Sequence, residues 1–154
     1  MLKKTILITF FLIITSCGYE PIHSQKNLKK YNFSIKSVNF EGDRDINLRL
    51  KQKLNNYIQN KKDKAYILDI KTVNEKTIIA KDASGNPTNF ENFITVTVNV
   101  LIEKNFKRNF KIKRKFKYSN NEDKFELKNY ERQLKNNFSD SIAEELIFDI
   151  SNIQ

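Results

Sequence analysis

Two long segments of alternating apolar and polar residues most constrain the fold of this chain. The first runs from Ile94 to Ile102 with an aliphatic side chain at every second position, and the second runs from Phe106 to Tyr118. Because side chains alternate between the two faces of a β-strand, each segment predicts a strand with one buried face. The connection, Glu103–Asn105, is short enough for a hairpin. We therefore expect two neighbouring strands that pair with each other.

The second segment has one apolar face and one cationic face. The apolar positions, which Arg108 and Arg114 interrupt, are Phe106, Phe110, Ile112, Phe116 and Tyr118. The opposite positions are lysines, namely Lys107, Lys111, Lys113, Lys115 and Lys117. Residues two apart in a strand are separated by roughly 6.6 Å, so these five lysines predict a row of cations suited to a polyanion such as the phosphates of lipid A. An alternative interpretation is that the lysines protect an edge strand against aggregation.

The region before these strands predicts a strand followed by a helix. Residues 31–40 alternate with a reversal of phase, which is typical of a strand with a bulge. Gly42 interrupts the strand, and Asp43 or Asp45 can cap a helix. In that helix, residues 46–58, apolar side chains recur at spacings of three and four and so predict one buried face.

The rest of the chain predicts one more strand and a closing helix. Period two returns over residues 65–79, and residues 83–87 have the composition of a turn. Ser119–Glu122 has the form of a capping box, and the helical period of residues 127–150 predicts a helix that is curved or broken near Asn136-Asn137. The expected fold is α+β, with two helices packed on one face of a mostly antiparallel or mixed four-stranded sheet in the order β-α-β-β-β-α.

The N-terminus has the order of a bacterial lipoprotein signal. Two lysines precede an apolar run, Thr5–Ile14, that is shorter than the roughly 20 residues needed to span a membrane. Ile14-Thr15-Ser16-Cys17 resembles the lipobox of bacterial lipoproteins, in which the thiol receives a diacylglycerol and the signal is cut before it. The alternative is an uncleaved membrane anchor. The expected boundaries are a lipoprotein signal peptide at 1–16, a lipid-anchored tether at 17–30 and one domain at 31–154.

Charge and cysteine content limit the class of partner. The net charge is +10, and removal of Lys3 and Lys4 with the signal lowers it by two to +8. A basic domain favours anionic partners, and export favours envelope lipids over nucleic acid. A chain rich in Lys, Asn and Ile from A/T-rich codons would also be basic, so the position of the charge matters more than its sum. Cys17 is the only cysteine, which excludes a disulfide within one molecule.

Catalytic chemistry is not expected. His23 is the only histidine and lies in the predicted tether, so no second histidine or thiol completes a nucleophile or a zinc site. We therefore expect no enzyme activity, no metal and no cofactor apart from the lipid on Cys17.

Several segments of the chain resemble the LptE family of lipopolysaccharide-assembly lipoproteins. Cys17-Gly18-Tyr19-Glu20-Pro21-Ile22 is similar to the Cys-Gly-Phe-x-Pro-Leu start of that family. Asn47–Leu54 resembles the first helix of the family, Ile94–Ile102 its central strand, and Ser141–Leu146 its closing helix. The chain departs from the family at His23, where an aromatic residue is common, and in its density of lysines.

The resemblance implies a role without catalysis. Members of the family plug the outer-membrane β-barrel LptD, assist its folding and bind lipopolysaccharide on its way to the outer leaflet. Gly18, in place of an aspartate after the lipidated cysteine, favours the periplasmic face of the outer membrane in the lipoproteins that this signal resembles. An adaptor lipoprotein of another envelope transport or secretion machine is the alternative function.

Overall fold

The computed structural model describes residues 31–58, 62, 64–102 and 105–153. Four strands and two helices follow one another in the predicted order β-α-β-β-β-α. The elements are β1 (Ser34–Gly42), α1 (Arg44–Ile58), β2 (Ala65–Lys81), β3 (Pro87–Ile102), β4 (Asn105–Ser119) and α2 (Lys124–Ser151). The predicted α+β class is therefore confirmed.

The four strands form one mixed sheet in the order β1-β2-β3-β4. β1 is parallel to β2, whereas the β2/β3 and β3/β4 pairs are antiparallel. β1 accompanies β2 only as far as Thr72, so the second half of β2 pairs with β3 alone among the described strands. The sheet is therefore four strands wide at one end and three strands wide at the other.

The predicted bulge in β1 is confirmed. The register shifts between Ile35 and Ser37, which allows the strand to change phase without leaving the sheet. β1 ends at Gly42, whose positive φ of 102° turns the chain into α1. The N-cap of α1 is Asp43, because its Oδ1 accepts hydrogen bonds from the backbone N–H groups of Asp45 and Ile46, both at 3.0 Å.

The core lies between both helices and one face of the sheet, here called the inner face. Its centre consists of aliphatic side chains that are at most 2 % exposed, including Ile46, Leu50, Leu54, Leu68, Ile70, Ile94, Val96, Val98, Ile142, Leu146 and Ile150. The even-numbered residues of β3 from Phe90 to Val100 are all buried, whereas their odd-numbered neighbours from Glu91 to Asn99 are partly exposed. The predicted alternation therefore determines which face packs against the helices, and the opposite face is here called the outer face.

The predicted start of the closing helix is wrong. α2 begins after Asp123, whose Oδ1 accepts from the N–H groups of Phe125 and Glu126 at 2.8 and 3.0 Å, and not after a Ser119–Glu122 box. Ser119 is the last residue of β4 and pairs with Asn89, so it is not available as a cap. α2 is continuous through Asn136-Asn137, so the predicted break there is wrong, and curvature, the other form of that prediction, stays a prediction.

Contacts with α1 explain why α2 does not break. Lys135 contacts Asp43 and Asp45 at 3.4 and 3.0 Å. The guanidinium of Arg49 donates two hydrogen bonds to Asp140, at 2.6 and 2.7 Å. These ion pairs hold both sides of the central turn of α2 against α1, where two asparagines alone would favour a break.

Candidate functional site

Four of the five predicted lysines form a row on the outer face of β4. Lys111, Lys113, Lys115 and Lys117 are all exposed. Their cross-strand neighbours on β3 are Thr97, Thr95, Phe93 and Glu91, respectively. Adjacent members are two residues apart, so the row extends for roughly 20 Å along the strand. These four residues are called the lysine row below.

The fifth lysine, Lys107, does not belong to this row. Between Arg108, which pairs with Val100, and Phe106, which pairs with Leu101, the register shifts and leaves Lys107 without a cross-strand partner. This bulge also changes the phase of the strand. Phe106 is therefore beside Leu101 on the outer face and is 64 % exposed, which corrects the prediction that it faces the core with Ile112.

Packing of the opposite face of β4 against α2 keeps the lysine row outside. Ile112 and Tyr118 are 3 % and 6 % exposed, and the ring of Phe116 stacks on that of Phe138 with 4.7 Å between centroids. Arg114, predicted to interrupt the apolar face, forms an ion pair with Glu145 of α2. A rotation of β4 that turned the lysines inward would lose all of these contacts.

A polar cluster reinforces the same packing. Glu131 of α2 accepts hydrogen bonds from Lys76 Nζ at 2.6 Å and from the Tyr118 hydroxyl at 2.7 Å. Burial alone would raise the pKa of Glu131, but the hydrogen bonds from Lys76 and Tyr118 and the charge of Lys76 hold that pKa below its ordinary value. Burial, followed by the bond to Glu131, raises the pKa of Tyr118. The cluster is thus a charged link between sheet and helix.

The lysine row has few counter-charges. Lys117 lies 3.8 Å from a carboxylate oxygen of Glu91, whereas Lys111, Lys113 and Lys115 form no ion pair within the described part of the chain. The three cations are therefore free to attract an external anion. At roughly 6.6 Å apart they are within one Debye length of their neighbours, so an anion that spans two of them is attracted by both.

Apart from Glu91, the described carboxylates on the outer face belong to β1 and β2. Asp69 accepts a hydrogen bond from Asn39 at 2.7 Å, and Glu41 pairs with Lys71 at 3.2 Å. Lys71, opposite Thr97 in the register, was not predicted as part of the site. Its position next to the buried Ile70 and Thr72 could have indicated that it faces outward. The outer face is thus cationic at β4 and mixed in charge at β1 and β2.

The position of β4 in the sheet also keeps the alternative interpretation open. β4 is the last strand in the sheet order, so its outer backbone edge has no strand partner within the described ranges. Lysines on such a strand disfavour edge-to-edge aggregation whether or not they bind a ligand. Binding measurements, and not geometry, separate the two roles.

The predicted lipidation site and the predicted tether, including Cys17 and His23, lie outside the described residues. In the ranges that are described, neither helix has the length and apolar content to cross a membrane. No group of three or more histidine, cysteine or acidic side chains in these ranges could hold a metal ion.

Sequence comparison does not assign the chain to a family. No protein-family model matches it, and no curated protein matches it in sequence.

The fold, by contrast, is found in solved structures of bacterial lipoproteins. The chain is similar to rare lipoprotein B from Shewanella oneidensis, with a TM-score of 0.54 and 14% identity over 75% of this chain and 97% of that chain. It is also similar to a minor lipoprotein from Acinetobacter baumannii, with a TM-score of 0.55 and 18% identity over 77% and 92% of the respective chains. For lipoprotein B from Nitrosomonas europaea the TM-score is 0.51 and the identity 14%, over 77% and 84%. The chain therefore shares the fold of these three lipoproteins.

Proposed function

We propose that this chain is an outer-membrane lipoprotein, lipidated at Cys17, that assists the assembly of the LptD β-barrel, plugs it and binds lipopolysaccharide. The observation that carries the proposal is the lysine row on a sheet face that neither described helix covers, with three cations that have no described counter-charge. The fold shared with three lipoproteins and the lipobox-like Ile14–Cys17 support the membrane anchor. The resemblance to the LptE family is the reason for proposing the LptD barrel and lipopolysaccharide as partners.

The chemistry of lipid A phosphates matches the row. Each exposed lysine contributes only about 0.5 kcal/mol to an ion pair in water, because solvent and salt screen the charge. A ligand with several phosphates can contact several members at once, so three contacts give roughly 1.5 kcal/mol, or about tenfold in affinity. The lysine row therefore provides a moderate, salt-dependent contribution to binding and does not require a deep pocket.

Two triple variants with reversed charge test the lysine row. The first combines Lys111→Glu, Lys113→Glu and Lys115→Glu, and it is expected to weaken lipopolysaccharide binding by the full-length protein at least about tenfold. The control changes three exposed lysines elsewhere by the same total charge, namely Lys36→Glu, Lys51→Glu and Lys128→Glu. Equal losses in both triple variants would indicate an effect of net charge alone, and unchanged binding in the first would contradict the proposed site.

Purification from the native membrane tests whether the protein binds a β-barrel. Tagged full-length protein extracted from outer membranes in detergent is expected to carry one large β-barrel in near-equal amount, detectable by mass spectrometry. Recovery of inner-membrane transporter or secretion components would instead support the adaptor function. Absence of any barrel would contradict the plug.

A further inference from the structure

The tip of the β3/β4 hairpin exposes a combination of apolar and basic side chains. Phe106 is 64 % exposed and Ile102 36 % exposed, while Leu101, the cross-strand neighbour of Phe106, is partly exposed. Lys107 and Arg108 follow in the chain and are both exposed, with the guanidinium of Arg108 5.5 Å from the centre of the Phe110 ring on the inner-face side of β4. Leu101, Ile102, Phe106, Lys107 and Arg108 are called the hairpin tip. Exposure of a single ring needs no contact outside the domain, but Phe106 forms an apolar patch together with Ile102 and Leu101, and such a patch with basic neighbours suits a contact with another surface.

The hairpin tip lies at the end of the sheet where the chain enters the domain. Ser34, the first residue of β1, pairs with Ala65, while Ile67 pairs with Leu101, and Leu101 with Phe106. Residues 31–33 are thus connected to the same end as the hairpin tip. The proposed lipidation of Cys17, on which this inference rests, would join the anchor to this end of the sheet through 13 residues, Gly18 to Lys30, that span at most about 45 Å when fully extended.

The two ends of the sheet also differ in charge, and the end with the hairpin tip is the more basic. At the end with the hairpin tip, Lys64 is exposed together with the two basic residues of the tip. At the opposite end, next to the β2/β3 turn and the start of α2, exposed acidic and basic side chains are mixed, namely Asp82, Glu122, Asp123 and Glu126 with Lys81, Lys124 and Lys128. A surface of anionic phospholipid headgroups therefore attracts the first end more strongly than the second.

We propose that the hairpin tip is a second membrane contact and enters the headgroup region of the anionic leaflet that holds the N-terminal anchor. The ring of Phe106 reaches the boundary between headgroups and acyl chains, with the side chain of Ile102 beside it. The ammonium of Lys107 and, on the other face of β4, the guanidinium of Arg108 above the Phe110 ring remain among lipid phosphates. The contact depends on neither the lysine row nor a barrel partner.

A single tryptophan tests this contact directly, because the chain contains none. Phe106→Trp reports from the hairpin tip, and Phe125→Trp is a matched control from the opposite end, where Phe125 is 74 % exposed. Each full-length variant is reconstituted into vesicles of phosphatidylethanolamine and phosphatidylglycerol, with and without brominated acyl chains. We expect the emission of Trp at position 106 to shift to shorter wavelength and to lose intensity with brominated lipid, while the emission from position 125 changes in neither respect.

Charge variants in the Phe106→Trp background test the role of the basic residues. Lys107→Glu with Arg108→Glu is expected to abolish most of the quenching, whereas Lys124→Glu with Lys128→Glu, at the α2 end, is expected to leave it unchanged. Equal quenching at positions 106 and 125, or quenching at neither, would overturn the proposal. A concentration-dependent shift at position 106 without vesicles would also overturn it, because that result would identify a second copy of the chain as the partner.

Discussion

Of the two described glycines, Gly42 is the one where an added methyl group is expected to cost more stability. Its φ of 102° lies in the region that side-chain-bearing residues avoid. A Cβ there would lie 1.8 Å from the carbonyl oxygen of Thr72 and 2.8 Å from its carbonyl carbon, both backbone atoms that a rotamer change cannot move. Gly42→Ala must therefore separate the end of β1 from β2.

The second positive-φ glycine supplies the reference for the magnitude. Gly85, with φ of 84°, has no atom within 4 Å of the position of an added Cβ, so Gly85→Ala changes backbone strain alone, about 1 to 2 kcal/mol. Gly42→Ala has the same strain and, in addition, an overpacking cost of about 1 to 3 kcal/mol. The expected loss in free energy of unfolding is therefore about 2 to 5 kcal/mol, a large fraction of the 5–15 kcal/mol typical of a domain.

Urea unfolding of both variants, followed by circular dichroism, measures the two losses under identical conditions. The difference between them isolates the contact of Gly42 with Thr72, because the strain is common to both. A Gly42→Ala variant that unfolds at the same urea concentration as Gly85→Ala would refute the close packing of β1 against β2 at this point.

Three further substitutions test the contacts and the cap of α2. Because the folded-state pKa of Glu131 is lowered, its carboxylate contributes stability above its unfolded-state pKa, and that contribution is lost as the pH falls through the folded-state pKa. Glu131→Gln is therefore expected to unfold more easily at neutral pH and to show a smaller loss on acidification, measured as urea midpoints between about pH 7 and pH 3. A pH profile parallel to that of the unmodified protein would contradict the link. Asp123→Ala is expected to cost about 1 kcal/mol through loss of the α2 cap, and Ser119→Ala close to nothing, in the same urea assay. A larger loss for Ser119→Ala than for Asp123→Ala would instead support the capping box at Ser119–Glu122.

The spacing of apolar residues in the sequence predicted the strands and helices, because an element with one buried face needs an apolar side chain at each position on that face. In β3 the strict alternation from Ile94 to Val100 places every aliphatic side chain on the inner face, and no other register would bury them all. The phase reversal near Ser37 predicted the bulge of β1 for the same reason. Four lysines of β4 were also correctly placed on one exposed face, since the alternation of Ile112 and Phe116 with lysines leaves them no other position.

Features that depend on a partner element could not be predicted in this way. The residues Phe106-Lys107-Arg108 continue the alternation of β4 without a break, and only the register with Leu101 shows that a bulge reverses it. Ser119 and Asp123 are both good caps by residue type, and pairing of Ser119 with Asn89 decides between them. Local sequence reports what one segment prefers, whereas its neighbours determine where a strand slips and where a helix starts.

The hairpin tip and the lysine row lie on the same strand, but lipid headgroups that contact the first are too far away to bind the second. Lys111 is five residues from Phe106 and Lys117 is eleven, which along an extended strand corresponds to roughly 17 and 37 Å. If β4 is perpendicular to the leaflet with the hairpin tip among the headgroups, even the nearest lysine of the row is farther from the headgroups than the Debye length of about 8 Å at physiological salt. Headgroups that bind the hairpin tip therefore exert little attraction on the lysine row. If both proposals hold, the anions of the row stand away from the bilayer surface, as the phosphates of an extracted lipid or the acidic side chains of a protein wall would do. A basic β4 can thus serve a membrane contact at its tip and a separate polyanion along its length, and reversing the charge of either is expected to leave the other unchanged.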